Sequence, residues 1–103
     1  MDKAIVEEIK NKALEEHIPI IMDETLEIIG NILKTKKPKR ILEIGTAVGY
    51  SSICFSEYLE KDGLIDTIER DDERIKQAND NIKKLGLENQ IHIHGGDAVE
   101  IYF

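Results

Sequence analysis

Cysteine is scarce in this chain, and an excess of cationic side chains and long apolar runs are missing; each of these closes off a class of protein. One cysteine, Cys54, in 103 residues excludes an internal disulfide framework and suits a reducing compartment, so the cytoplasm is the expected location. The longest apolar runs are a few residues, far short of the ~20 that a bilayer-spanning helix needs. The start, MDKAIVEEIKNKALEEH, is acidic and amphipathic, without the basic head and apolar centre of a secretory signal. Lysine and arginine number 14 against 21 aspartates and glutamates. The net charge of -7 counts against tight non-specific binding of nucleic acid, whose phosphates require clustered cations. The one basic cluster, Lys34, Lys36, Lys37, Lys39 and Arg40, reads as a solvated loop at a helix C-terminus, where cations complement the dipole. Repeats and Ser/Gly-rich linkers are also missing. What is present, 41% hydrophobic and 34% charged residues, describes one globular domain with a modest core.

Two amphipathic helices open the chain. Lys3 to Glu16 has Ile5, Ile9 and Ala13 at four-residue spacing, with Val6 and Leu14 beside them. Pro19 interrupts, and a second helix runs from Asp23, a good N-cap, to Leu33, with Met22, Leu26, Ile29 and Leu33 on one face. Residues 1–37 thus form a helical segment, and residues 38–103 follow a different pattern. Arg40 to Ile44 is a short strand, Tyr50 to Leu59 a helix burying Ile53, Cys54 and Leu59, and Leu64 to Glu69 a second strand. Asp71 or Asp72 caps a helix whose apolar positions Ile75, Ala78, Ile82 and Leu85 are spaced three, four and three, and Gly86 closes it. Gln90 to His94 is a third strand, and Asp97 begins a further helix ending at Phe103. Strand–helix–strand–helix–strand with short links predicts right-handed βαβ units and a parallel sheet, half of a doubly wound α/β domain. Ligands of such domains bind at the C-terminal ends of the strands.

Those ends carry Glu43, Gly45 and the turn to Ser51, then Glu69 and Arg70, then Gly95, Gly96 and Asp97. Gly45 and Gly49 let backbone approach a ligand, and Glu69 offers two acceptor oxygens to the two donors of a ribose diol. Asp97 can cap the last helix and line the pocket together. A dinucleotide fingerprint, G-x-G-x-x-G, places its glycines where pyrophosphate presses on the backbone. Read from Gly45, those positions hold Gly45, Ala47 and Tyr50, so two of three fail. The sequence reads E-x-G-x-x-x-G instead, with no provision for a pyrophosphate. S-adenosylmethionine has none, and its ammonium favours an acid such as Glu43, acting directly or by organising the loop.

ILEIGTAVGYSS, TIER and IHGGDA together resemble the S-adenosylmethionine-dependent O-methyltransferases related to the catechol and caffeoyl-CoA enzymes, including small bacterial members such as the tRNA 5-hydroxyuridine methyltransferases. The resemblance spans roughly Leu14 to Glu100 and implies a Rossmann-like class I methyltransferase fold. It implies that Ile21 packs near the cofactor and that Gly45 and Ser51 bind its methionine end. It further implies that Glu69 holds the ribose hydroxyls and Arg70 flanks the adenine, with Gly96, Asp97 and Ala98 at the adenine edge. The family's fourth strand carries an aspartate that begins a divalent-metal site, magnesium in an intact member, for binding and deprotonating the acceptor hydroxyl. Here the chain reaches GGDAVEIYF before that strand. The expectation is therefore the cofactor-binding half of an O-methyltransferase, without catalytic or metal-ligating residues and inactive alone, its acceptor a small hydroxyl compound or tRNA. His92 and His94 alternate on one strand face without a third ligand. The Arg40–Ile44 strand would be an uncovered edge with both faces apolar, which predicts a homo-oligomer. The alternative is a non-catalytic α/β dimerisation module without cofactor; a nicotinamide domain survives only on fold analogy.

Overall fold

The computed structural model describes residues 1–102. Two helices lead, α1 (Lys3–Glu15) and α2 (Asp23–Lys36). Strands and helices then alternate: β1 (Arg40–Ile44), α3 (Tyr50–Ser56), β2 (Leu64–Glu69), α4 (Asp72–Lys84), β3 (Ile91–Gly95) and α5 (Ala98–Tyr102). The strands form a parallel sheet in the order β1-β2-β3, the expected doubly wound half. The Phe103 end of the last helix lies outside the described residues.

Helix boundaries follow local chemistry. Asp2 caps α1, its carboxylate accepting from the Ala4 and Ile5 N–H groups at 3.0 and 3.2 Å. Asp71 caps α4 in the same way, accepting from Glu73 and Arg74 at 2.9 and 3.2 Å, and Gly86 follows that helix at φ 67°. Asp23, by contrast, is the first residue of α2 and not its cap. Met22 occupies the cap with extended backbone, and the Asp23 carboxylate instead takes Lys10 Nζ of α1 at 2.9 Å. Met22 and Leu14 are both exposed, so each helix has a narrower apolar face than the spacing predicts. Helix α3 ends at Ser56, earlier than expected. Cys54 and Leu59 are half-buried, while Tyr50, Ser52, Ile53 and Phe55 face the interior.

Alternation along the strands decides which face is covered. Ile41, Ile65 and Ile91 lie in register across the three strands, and with Ile9, Ala13, Leu33, Ile53 and Ile82 they form one apolar cluster under α1–α4. The other face of β1 presents Leu42 and Ile44, 49% and 61% exposed. Apolar side chains thus stand on both faces of this edge strand, Ile41 on the covered one and Leu42 and Ile44 on the open one. Glu43 shares the covered face with Ile41, opposite Thr67 of β2. Across the open face, Asp66 accepts from His94 Nε2 at 2.8 Å and from the Arg40 guanidinium at 3.2 Å, which holds its carboxyl below the usual range, the histidine contributing most. No helix among the described residues is long and apolar enough to cross a membrane.

Candidate functional site

The register sets the strand ends level: Ile44 beside Ile68, and Glu69 beside Gly95. Two cavities open there and meet at Gly45. One, about 170 Å³, lies between the Pro19–Ile21 turn and the loop from Gly45 to Val48, closed by Tyr50 and Ser51. The other, about 210 Å³, is lined by Ile44, Gly45, Ile68, Glu69, Arg70 and the Gly96–Ala98 turn. Ile21, Gly45 and Ser51 therefore gather on one side, and Glu69, Arg70, Gly96, Asp97 and Ala98 on the other. Glu43 lines neither cavity. A separate cleft of about 160 Å³ runs between α1 and α4 and shares only Val48 with these two.

Gly45 has φ 91°, and a Cβ built on it would meet nothing within 4 Å, so the open side of the loop is at its backbone. Gly49 serves a different purpose from the expected ligand approach. At φ 86° it turns the chain into α3, and a Cβ there would sit 3.4 Å from the Ala78 Cβ of α4. Its absent side chain thus allows α4 to pack close to the loop.

Two carboxylates hold the loop. Glu69 Oε1 accepts from the Ala47 N–H at 2.8 Å, and Oε2 accepts from the Arg70 and Asp71 N–H groups at 3.2 and 3.1 Å. Ala47 is in the left-handed region at φ 49°, a conformation that costs an L-residue roughly 1–2 kcal/mol. A carboxylate has about four lone-pair sites and three backbone donors already occupy it, so Glu69 retains one site for a ribose hydroxyl and takes the second only by giving up one of the exposed Arg70 and Asp71 contacts. Glu43 Oε2 accepts from Ser51 Oγ, and Oε1 accepts from Ser52 Oγ and from Thr67 Oγ1, the latter at 2.8 Å. Thr67 also meets Thr46 Oγ1 at 2.7 Å. Asn81 Nδ2 of α4 donates to the Val48 carbonyl at 2.9 Å. No buried side-chain nitrogen or oxygen among the described residues lacks a partner.

At the third strand end, Asp97 caps α5 by accepting from the Val99 N–H at 2.8 Å. Its other oxygen is 3.8 Å from Arg70 Nη1, an exposed pair that contributes little to stability. Burial raises the Tyr50 phenol, and burial likewise pushes the Cys54 thiol up to about 11. Cys54 is therefore a packing residue and not a thiolate at neutral pH. Among the described residues no group of three or more histidine, cysteine or acidic side chains is placed to hold a metal ion, and His94 is engaged with Asp66. Thr46, Ser52, Thr67, Ala47 and Asn81 were not foreseen as parts of the site. The place of Thr67 on a strand, two residues from Ile65 and so on its inward face, is the signal that could have found one of them.

Residues 7–102 match the model of the protein-L-isoaspartate (D-aspartate) O-methyltransferase family, PCMT. The chain belongs to this family. A catechol O-methyltransferase of Niastella koreensis is 41% identical over 63 residues, covering 61% of this chain and 28% of that enzyme. Among solved structures, a candidate caffeoyl-CoA O-methyltransferase from Staphylococcus aureus superposes with a TM-score of 0.87 at 37% identity, over 92% of this chain and 45% of that one. The O-methyltransferase TomG from Streptomyces achromogenes, solved in complex with SAM, gives 0.82 at 26% identity over 94% and 44%. The fold is therefore the Rossmann-like methyltransferase fold, and the PCMT-family chain spans less than half the length of these relatives.

Proposed function

We propose that this chain is the S-adenosylmethionine-binding portion of an O-methyltransferase that acts on a hydroxyl acceptor. The observation that carries the reading is the pair of cavities meeting at Gly45, one beside Glu69 and the other beside Ser51. A ligand with a ribose at one end and an amino acid at the other suits that layout. Ile21 would pack on the methionine side; Glu69 would accept from the ribose hydroxyls; Arg70, Gly96, Asp97 and Ala98 would border the adenine. The bound cofactor would supply an electrophilic methyl on a sulfonium. The acceptor oxygen would attack in line as the carbon–sulfur bond breaks, with positioning as the main protein contribution. The hydroxyl acceptor follows the likeness to the Staphylococcus aureus protein, and residues 1–37 serve as a helical cover for the 38–103 half. A single cysteine, Cys54, suits a reducing cytoplasm.

Calorimetric titration with S-adenosylhomocysteine tests this, with Glu69→Ala alongside and folding checked by circular dichroism. Saturable binding, lost in the variant, is expected. A folded wild-type chain that takes no ligand would remove the reading. A second reading, association through the free edge of β1, is favoured by the exposure of Leu42 and Ile44. Light scattering that reports a monomer at high concentration would sink it.

A further inference from the structure

The cleft between α1 and α4 has one apolar wall and one wall that carries amides. Ile5, Ile9 and Ala13, four residues apart on α1, meet Ile18 and Val48 at its base, and all but Ile5 are at most 6% exposed. On the α4 side Gln77 and Asn81 stand one turn apart on the same face, their Cβ atoms about 5–6 Å apart. Each amide has one end already engaged. Asn81 Nδ2 donates to the Val48 carbonyl at 2.9 Å, and a carbonyl only accepts, so Oδ1 is the free atom. Gln77 Oε1 accepts from Arg74 Nη1 at 3.1 Å, and a guanidinium only donates, so Nε2 is the free atom. Neither free atom has a partner among the described residues, where no buried side-chain nitrogen or oxygen lacks one, so both are open to the cleft. The rim holds three acids and two lysines, all exposed, and neither sign dominates it.

We propose that this cleft binds a neutral single-ring cyclic amide, whose N–H donates to Asn81 Oδ1 and whose carbonyl accepts from Gln77 Nε2. A lactam carries its donor and its acceptor on adjacent atoms of one edge, the complement of one acceptor and one donor on adjacent turns. The rest of the ring is flat and apolar and lies on Ile9, Ala13 and Val48. The size agrees, since about 160 Å³ is close to the roughly 150 Å³ of an apolar cavity that takes one benzene ring. A carboxylate or an ammonium finds no charged partner below the rim, and burying it unpaired is costly, so the neutral class is favoured. The cleft shares Val48 with the cavity on the other side of the Gly45–Val48 loop. A donor bound at Asn81 Oδ1 polarises that amide and strengthens its Nδ2 bond to Val48, so occupancy here reaches the loop.

The test is a titration of the isotope-labelled full chain with 2-pyridone, followed by NMR amide shifts. Saturable shifts at Ile9, Ala13, Val48 and the Asn81 side-chain amide are expected, with Kd on the order of millimolar for so small a ligand. N-methyl-2-pyridone keeps the carbonyl and loses the N–H, and should bind about twofold to tenfold more weakly, the range of one neutral hydrogen bond. Gln77→Glu keeps the oxygen that meets Arg74 and replaces the free donor with an acceptor, so it should weaken 2-pyridone by at least as much. Gln77→Met removes the amide at similar volume and reads the same loss if Gln77→Glu does not fold. The absence of saturable shifts, equal affinity for the two pyridones, or undiminished binding by a folded Gln77 variant would overturn the inference. Shifts centred on Arg70 and the Gly96–Ala98 turn would place the ring in the other cavity and overturn it as well.

Discussion

Glu69 supports the loop as well as facing the cavity, and removing it should therefore be felt before any ligand is added. In Glu69→Ala the Ala47 N–H loses its acceptor at 2.8 Å. A part-buried donor left without a partner costs about 1–3 kcal/mol. The Arg70 and Asp71 N–H groups also lose Oε2, but both contacts are exposed and water replaces them at little cost. The expected destabilisation is about 2 kcal/mol, which in a domain near 100 residues lowers Tm by roughly 8–16 °C. Thermal melts followed by circular dichroism measure it. Glu69→Gln keeps a carbonyl acceptor for Ala47 and should retain most of the stability while losing the charge, so it separates the loop role from the ligand role. Ala47→Gly supplies the independent check. It relieves left-handed strain of roughly 1–2 kcal/mol and adds glycine's unfolded-state entropy of about 0.5–1 kcal/mol, so its net effect should be neutral to mildly stabilising. A Glu69→Ala protein that melts within 2 °C of wild type, or an Ala47→Gly protein that loses more than about 1 kcal/mol, would refute the reasoning.

Gly49→Ala combines φ 86° with a 3.4 Å approach to Ala78, and urea unfolding should show a loss of at least about 1–2 kcal/mol. Asp66 has a folded pKa below its unfolded value, so the unfolded chain binds the proton more readily and stability rises with pH through that window. Its contribution is complete above about pH 4 and fades as acid is added; urea midpoints at pH 7 and pH 3 should fall less in Asp66→Asn than in wild type. Cys54, with its thiol at about 11, should react slowly with a disulfide reagent at pH 7 and speed up on unfolding; fast reaction of the native chain would contradict its burial.

The strand ends were legible in the sequence because parallel βαβ order and short connections leave few choices for where Glu69, Gly45 and Asp97 can go. The structure brings them together as that order requires. Glu43 was harder. Alternation puts it with Ile41, opposite Leu42 and Ile44, but both sets are apolar, so the sequence does not say which face is covered, and only burial of Ile41 with Ile65 settles that Glu43 points inward. Once it points inward, it must meet donors, and of the hydroxyls that follow it Ser51 and Ser52 reach it, whereas the nearer Thr46 meets Thr67. Thr67 is twenty-four residues away and becomes a partner only through the β1–β2 register, which no local pattern encodes. The same limit applies to Gly49: a glycine four residues after another suggests a ligand, whereas the close neighbour is Ala78 on a helix that begins much later. At Asp23 the local rule favoured a cap, and the longer-range attraction of Lys10 drew the carboxylate away.

Glu43 and Glu69 lie on the same face of the sheet, one beside Thr67 and the other two residues beyond it. Between them they hold the loop at two places: Glu43 through Ser51 and Ser52 at the start of α3, Glu69 through Ala47 in the middle. Thr46 reaches β2 through Thr67, and Val48 reaches α4 through Asn81. Every residue from Thr46 to Val48 is therefore tied down, Thr46 and Ala47 to β2 and Val48 to α4. A loop so fixed need not be ordered on binding, and that entropy need not be subtracted from affinity. It follows that loosening one tie, as in Thr67→Val or Glu69→Gln, should act on whatever part of a ligand lies nearest that tie before it acts on the ligand as a whole, and titration with S-adenosylhomocysteine against adenosine reads the difference.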